Sequence, residues 1–480
     1  MSVLVVDVGT SGLRAAVVRP DATIAVEHYR ELLPDSPAPG MVEFDAAAMA
    51  RAVLDVAHRA LDDAGPVDAV GITNQRASTI LWDRATGEPV GPGIGWQDLR
   101  TVFTCLELRG QGILLAPNES ATKLAALLDA ADPGRTRDLA FGTVDTWVAW
   151  TLSGGAVHAT DHTNAGVTGL RTPDGTGWND KVLAALNIPV SYLPTVQDSA
   201  SAYGAALALP GAPPITALVG DQQGSLVGQG CLHPGLAKAT FGTGAMLDVC
   251  VGPERPTFDR RGGQGCFPVV AWSRDGRLTW GTEAVMLAAG TCVSWLRDDL
   301  GLIDTPAQSH DVAARCETSE GVVFVPALLG LGAPAWDYGA RGALLGLTRG
   351  SGRPQVVRAV LEGIALRGAE LADAAEADGQ IEIRSLRVDG GMSQNPTFVR
   401  ALADATQRPI ELSPVRDATT LGAGFLAGLS TGAWKDEDDI AAAWKPRAVV
   451  EPAGSLDRDQ WKEAVRRAGG WLPDLSALEF

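Results

Sequence analysis

The chain carries one short pattern twice, far apart. Near the start, Val3 to Arg14 reads VLVVDVGTSGLR and runs into AAVV. Midway, Ala237 to Met246 reads AKATFGTGAM and runs into LDVCV. Each is an apolar run, a tight turn of Gly, Thr and Ser, and a second apolar run, which predicts a β-hairpin. Glycines in the turns let backbone amides come close to an anion, and the hydroxyls add donors. Two such hairpins can hold one polyphosphate from both sides. The repetition predicts two halves built on one plan with an ATP cleft between them.

At 480 residues the chain exceeds one ordinary core, so more than one domain is expected. The second hairpin follows LHPGLA at 232–237. That places a first domain at 1–236, a second at 237–435, and a charged tail at 436–480 with an amphipathic helix near Asp459 to Ala468. Asp45 is placed to cap a helix through Ala64, and strand and helix signals alternate onward, an α/β pattern. A formal charge of −18 argues against nucleic acid or an anionic membrane as main partner. It also requires local cations wherever ATP binds. No apolar run reaches membrane-spanning length, and no basic segment precedes VLVV, so a cytoplasmic protein is expected. Six cysteines without a CxxC read as reduced, mostly buried thiols. His158 and His162 flank Asp161, but Val157, Thr160 and Thr163 are poor helix formers, so no zinc site is expected there.

Three aspartates stand at strand ends. Asp7 precedes Gly9-Thr10-Ser11-Gly12, where a carboxylate beside phosphate needs Mg²⁺, and Arg14 follows as a neutralising cation. Asp221 in GDQQ ends the apolar run from Ile215, a place suited to a catalytic base. Asp389 precedes Gly390 and Gly391, which let a flat ligand lie against the backbone. Taken singly, these segments equally suit a hairpin turn, a helix N-cap and a strand-to-helix turn.

Ten segments extend the pattern over nearly the whole chain: DVGTSGLR (7–14), GITNQR (71–76), FGTVDTW (141–147), TDHTNA (160–165), GDQQ (220–223), AKATFGTG (237–244), FVPALLGLGAPAWD (324–337), ARGALLGLTRG (340–350), LRVDGG (386–391) and LGAGFLAG (421–428). In this order they resemble the FGGY family of sugar and polyol kinases, and within it most resemble the glycerol kinases. The resemblance implies a two-domain actin/hexokinase-like (ribonuclease H-like) ATPase fold, with a duplicated β-sheet core and an interdomain ATP cleft. It implies that Asp7 and Asp221 serve Mg²⁺, and that Thr10, Ser11 and Arg14 make the first phosphate contacts. Gly242, Thr243 and Gly244 correspond to the second phosphate turn. Gly290, Ser294, Gly391 and Asn395 correspond to the nucleotide side. Asp221 corresponds to the general base, and Gln222, Arg76 and Trp96 to the acceptor pocket.

Several positions depart from the glycerol kinases. Ala77 stands where they have a glutamate, Asn118 where they have a tyrosine, and Met246 near their phenylalanine. Ser294 replaces a glutamine, and the segment between Trp96 and Lys123 is shorter. The implied reaction is transfer from MgATP to a primary hydroxyl of glycerol or a similar small polyol or sugar. The alternatives are a kinase for a larger polyol or ketose and a non-catalytic metabolite sensor. Self-association as a homodimer stays open.

Overall fold

The computed structural model describes residues 2–415 and 418–478. Its centre is a 13-stranded sheet. Both expected hairpins are present. Val3–Val8 pairs antiparallel with Gly12–Val18, and Ala237–Phe241 pairs antiparallel with Ala245–Gly252. Each hairpin is the middle of a half-sheet. On the outer side of the first lies Ile24–Glu31, antiparallel; on its inner side lie Ala69–Asn74 and then Pro214–Gly220, both parallel. The second hairpin has Arg277–Met286 antiparallel on one side, and Leu386–Asp389 then Ile410–Leu412 parallel on the other. The two halves thus share one order of strands and directions, as the repeated motif implied. The parallel strands are apolar almost throughout because both faces are covered.

The halves join through Ala200–Ala205, which pairs antiparallel with Pro214–Gly220 and touches Phe267–Arg274 in parallel at one register pair, Ala200 with Arg274. Ser199 and Ser273 reinforce the join. Each backbone N–H donates to the other's hydroxyl, at 2.9 and 3.1 Å.

The helix Ala46–Ala64 is capped by the Asp45 carboxylate, which accepts from the Ala48 N–H. Met49, Val53, Ala57 and Leu61 are buried as the spacing required, while Leu54 is half-buried at the edge of the stripe. The helix Ala418–Thr431 comes late in the chain yet packs on the first half, with Leu421, Ala423, Phe425 and Leu426 among Val3, Val5, Ala69 and Val219. Beside it runs Asp221–Gly228. A Cβ on Gly422 would fall onto the Gly224 carbonyl, and one on Gly228 onto the Ala418 carbonyl. Glycine is therefore what lets these helices meet.

Residues beyond 435 are integral. Ala448–Val450 is an edge strand of the main sheet, and Trp461 on the helix Arg458–Ala468 is buried in the second half's core. Among the described residues no helix is long and apolar enough to cross a membrane.

Candidate active site

The first turn is shaped by its own backbone, with the Gly9 N–H donating to the Gly12 carbonyl at 2.9 Å. Asp7, at the adjoining strand end, faces Arg14 across the register. Their side chains lie 3.6 Å apart, and Thr420 Oγ1 donates to Asp7 Oδ2 at 3.3 Å. Trp96 Nε1 donates to Thr10 Oγ1 at 3.1 Å, tying the segment around Trp96 to this turn. Gln75 Nε2 reaches the Gly9 carbonyl at 3.3 Å.

Arg76 follows Gln75 and turns toward Asp221. Ala77 has φ +60°, a left-handed conformation rare outside glycine and strained for alanine. The kink is held by hydrogen bonds to its neighbours: the Ser78 N–H donates to the Arg76 carbonyl at 2.8 Å, and Ser120 Oγ donates to the Ala77 carbonyl at 3.0 Å. The Arg76 stem lies against Gly220. A Cβ at 220 would come 2.7 Å from Arg76 Cδ.

Asp221 opens its helix without capping it. Gly220 holds the N-cap position, and Asp221 Oδ1 accepts from the Gln222 N–H at 2.8 Å. Arg76 Nε lies 3.4 Å from the same oxygen. About a third of the Asp221 side chain (32%) stays open to solvent. The burial of the rest raises its pKa above the ordinary carboxylate value, with Arg76 opposing. Beneath it, Thr163 Oγ1 accepts from the Gly220 N–H at 2.8 Å and donates to buried Asp161. A polar network thus fixes the strand end from below.

The second turn is closed by the chain after it. The Gly290 N–H donates to the Gly242 carbonyl at 2.9 Å, and Thr291 donates from N and Oγ1 to the Thr243 carbonyl at 3.1 and 3.0 Å. Gly242 and Thr243 are exposed at the tip, Gly244 half-exposed. Ser294 is half-buried on the helix Gly290–Asp298. Asn395 caps the helix Pro396–Thr406 by accepting from the Phe398 N–H, and its amide donates to Ser309 at 2.8 Å. Gly391 lies just before it, with open space where a Cβ would stand. The Asp221 helix reaches into the second half: Ser225 Oγ donates to Asp389 Oδ2 at 3.2 Å and lies 3.5 Å from Thr240 Oγ1.

The residues expected on the acceptor side are only partly assembled. Arg76, Asp221 and Gln222 come together, while Trp96 meets the first turn at Thr10. Ala77 is buried and contributes no polar atom from its side chain. Met246 is half-buried on its strand, in register between Thr240 and Val285. Asn118 is exposed and enters through its carbonyl, which accepts from Lys123 Nζ at 3.0 Å. Lys123 is wholly buried and also donates to the Gly95 carbonyl at 3.1 Å. Its burial lowers its pKa to about 7.

Three charged residues went unread in the sequence. Arg76 Nη2 donates to Glu283 Oε2 at 2.7 Å. Lys238 Nζ donates to Gln222 Oε1 at 2.7 Å and lies 2.8 Å from Asp248 Oδ2. The one available signal was a charge inside an otherwise apolar strand, as in TWGTEAVM and MLDVCV. His158 serves the fold: its Nε2 is 2.8 Å from the Phe141 carbonyl. Among the described residues no group of three or more His, Cys, Asp or Glu side chains could hold a metal.

A sheet of two like halves, each opening with a Gly/Thr hairpin, with Asp221 at a strand end beside Arg76, is the frame of a sugar-kinase-like ATPase. The N-terminal domain of the FGGY family of carbohydrate kinases matches residues 2–228, and the C-terminal domain of that family matches 237–431. The chain belongs to this family and is an ATP-dependent phosphotransferase acting on an alcohol group. It is 40% identical to a glycerol kinase of Deinococcus radiodurans, over 99% of each chain. It is 39% identical to glycerol kinase 2 of Thermotoga maritima, over 98% of this chain and 99% of that one. The glycerol kinase of Plasmodium falciparum, solved with ADP, superposes with a TM-score of 0.90 at 28% identity, over 100% of this chain and 99% of that one.

Proposed function

We propose that this protein transfers the γ-phosphoryl group of ATP to a primary hydroxyl of glycerol. The observation that carries the reading is Asp221. It opens a helix at a parallel strand end, beside Arg76, and the same helix reaches Asp389 in the second half. Near-full-length relatives named glycerol kinases support glycerol over a longer acceptor.

In this reading Asp221 takes the proton of the attacking hydroxyl, and its raised pKa suits a base that must hold that proton. Arg76 and Gln222 orient the acceptor against it. Backbone amides and hydroxyls at Thr10, Ser11 and Thr243, with Arg14, stabilise charge on the transferring group. Gly242, Gly244, Gly290, Ser294, Gly391 and Asn395 border the nucleotide. Asp7 and Asp221 suit Mg²⁺ by donor chemistry: two hard carboxylates, partly open (12% and 32% of their side chains), for an ion that keeps most of its waters. Bound there, Mg²⁺ would neutralise charge on the polyphosphate. Residues 1–236 with the helix Ala418–Thr431 form the acceptor domain, and the second half, with Ala448–Val450 and the helix Arg458–Ala468, forms the nucleotide domain; their approach excludes water. The protein works in the cytoplasm, where buried reduced thiols persist.

The test is kcat/KM with MgATP for glycerol against erythritol, ribitol, xylitol, xylulose and dihydroxyacetone. Glycerol is expected to lead. A clear lead for a four- or five-carbon acceptor would overturn the glycerol assignment, and no turnover of any acceptor would overturn the kinase reading.

A further inference from the structure

Lys238, Asp248 and Glu283 stand directly opposite one another on three neighbouring strands of the second half, Lys238 facing Asp248 and Asp248 facing Glu283. They form one cross-strand row of charge, with exposures of 0, 1 and 7%. Placing three charged side chains there is costly unless each is paired. Asp248 is paired within the row, 2.8 Å from Lys238. The ends of the row reach outward, to the two side chains that flank Asp221 in the first half. Glu283 holds Arg76 at 2.7 Å, and Lys238 holds Gln222 at 2.7 Å.

Each contact leaves a defined group over. An ammonium has donors only, so the Gln222 atom it meets is the amide oxygen. That fixes the amide orientation and leaves Nε2 as a donor. Arg76 spends Nε beside Asp221 and Nη2 on Glu283, and its buried Nη1 has no protein hydrogen-bond partner. A buried guanidinium N–H without a partner is expensive, so a ligand oxygen is the natural acceptor. Two oriented donors therefore stand on either side of the base, each set by a residue from the opposite half.

We infer that the row Lys238–Asp248–Glu283 is a positioning device for acceptor recognition: Glu283 fixes Arg76, and Lys238, braced by Asp248, fixes Gln222. The inference rests on the reading of Arg76 and Gln222 as acceptor contacts. It also gives a use to a carboxylate from the far half of the molecule, in a pocket where Ala77 supplies none.

The test is steady-state kinetics in both substrates, using the best acceptor of the panel. Glu283→Gln and the charge-free pair Lys238→Met with Asp248→Leu are each expected to lower kcat/KM for the acceptor by about tenfold or more, the usual scale for a lost charge-assisted hydrogen bond. KM for ATP should stay within about twofold. In an Arg76→Met background, Glu283→Gln should cost less than about twofold more. In a Gln222→Ala background, the Lys238/Asp248 pair should behave the same way, because each acts through its partner. Equal losses with and without the partner, or a matching rise in KM for ATP, would overturn the inference. If Glu283→Gln does not fold, Glu283→Asp carries the test: it keeps the charge and shortens the reach, and an unchanged acceptor KM overturns the proposal. Wild-type protein that turns over no acceptor defeats the kinase reading and the row with it. Wild-type turnover with additive variants defeats the row alone.

Discussion

Asp221 owes its place to its neighbours. Gly220 leaves room for the Arg76 stem, and Thr163 holds the Gly220 N–H. Asp221→Asn keeps this shape and removes the proton acceptor. It should lower kcat by about 10²–10⁴-fold, the usual range for a lost general base, with ATP affinity little changed. Activity above about a tenth of wild type would make Asp221 structural. In the second turn, Thr243 is exposed at the tip while its carbonyl is engaged by Thr291. Thr243→Val should therefore spare the turn and remove one phosphate donor. A hydrogen bond to a charged group contributes about 1.5–3 kcal/mol, so ATP should bind roughly tenfold or more weakly by calorimetry. Equal ATP affinity in the variant would take this hydroxyl out of the site.

The helices Asp221–Gly228 and Ala418–Thr431 approach most closely at glycines, Gly224, Gly228 and Gly422. Gly422→Ala must push them apart, since its methyl would fall on the Gly224 carbonyl. Overpacking of this kind costs about 1–3 kcal/mol, to be read as a lower midpoint of denaturant unfolding. Because Asp221 begins one of these helices, kcat should fall as well; a destabilised variant with full kcat would show that the helix end is held independently. This packing also marks how far sequence could be read. The two hairpins were legible because an apolar run, a Gly/Thr/Ser turn and a second run are local signals. The Asp45 cap was legible for the same reason. Glu283 and Lys238 were not, because their partners Arg76 and Gln222 lie on a different half of the sheet and depend on strand order. Nor was the positive φ of Ala77, which depends on Ser120 reaching its carbonyl. Residues beyond 435 read as a tail because a three-residue edge strand gives too short a pattern to see.

At the scale of the molecule, the two like half-sheets are joined strand to strand at a single register pair and a reciprocal pair of serines, with Arg76–Glu283, Gln222–Lys238 and Ser225–Asp389 also reaching across. Each half has a core of its own, a further cluster lies across the join, and the sulfur atoms are spread among them. Cys105 is buried in the first half, Cys231 near the join, and Cys250, Cys266 and Cys292 in the second half, whereas Cys316 is only half-buried. Burial raises the pKa of Cys231, Cys250 and Cys292 to about 12, far above neutral pH. Only a thiolate attacks an electrophile at a useful rate, so these side chains are silent while the fold is closed. The protein therefore carries its own recorder of local opening. In a brief exposure to an alkylating reagent at pH 7, Cys316 should be modified first. As denaturant rises, the order in which the other five take up the label should show which half lets in water first. Simultaneous labelling of all five would mean that the contacts across the join transmit unfolding as fully as a single continuous core.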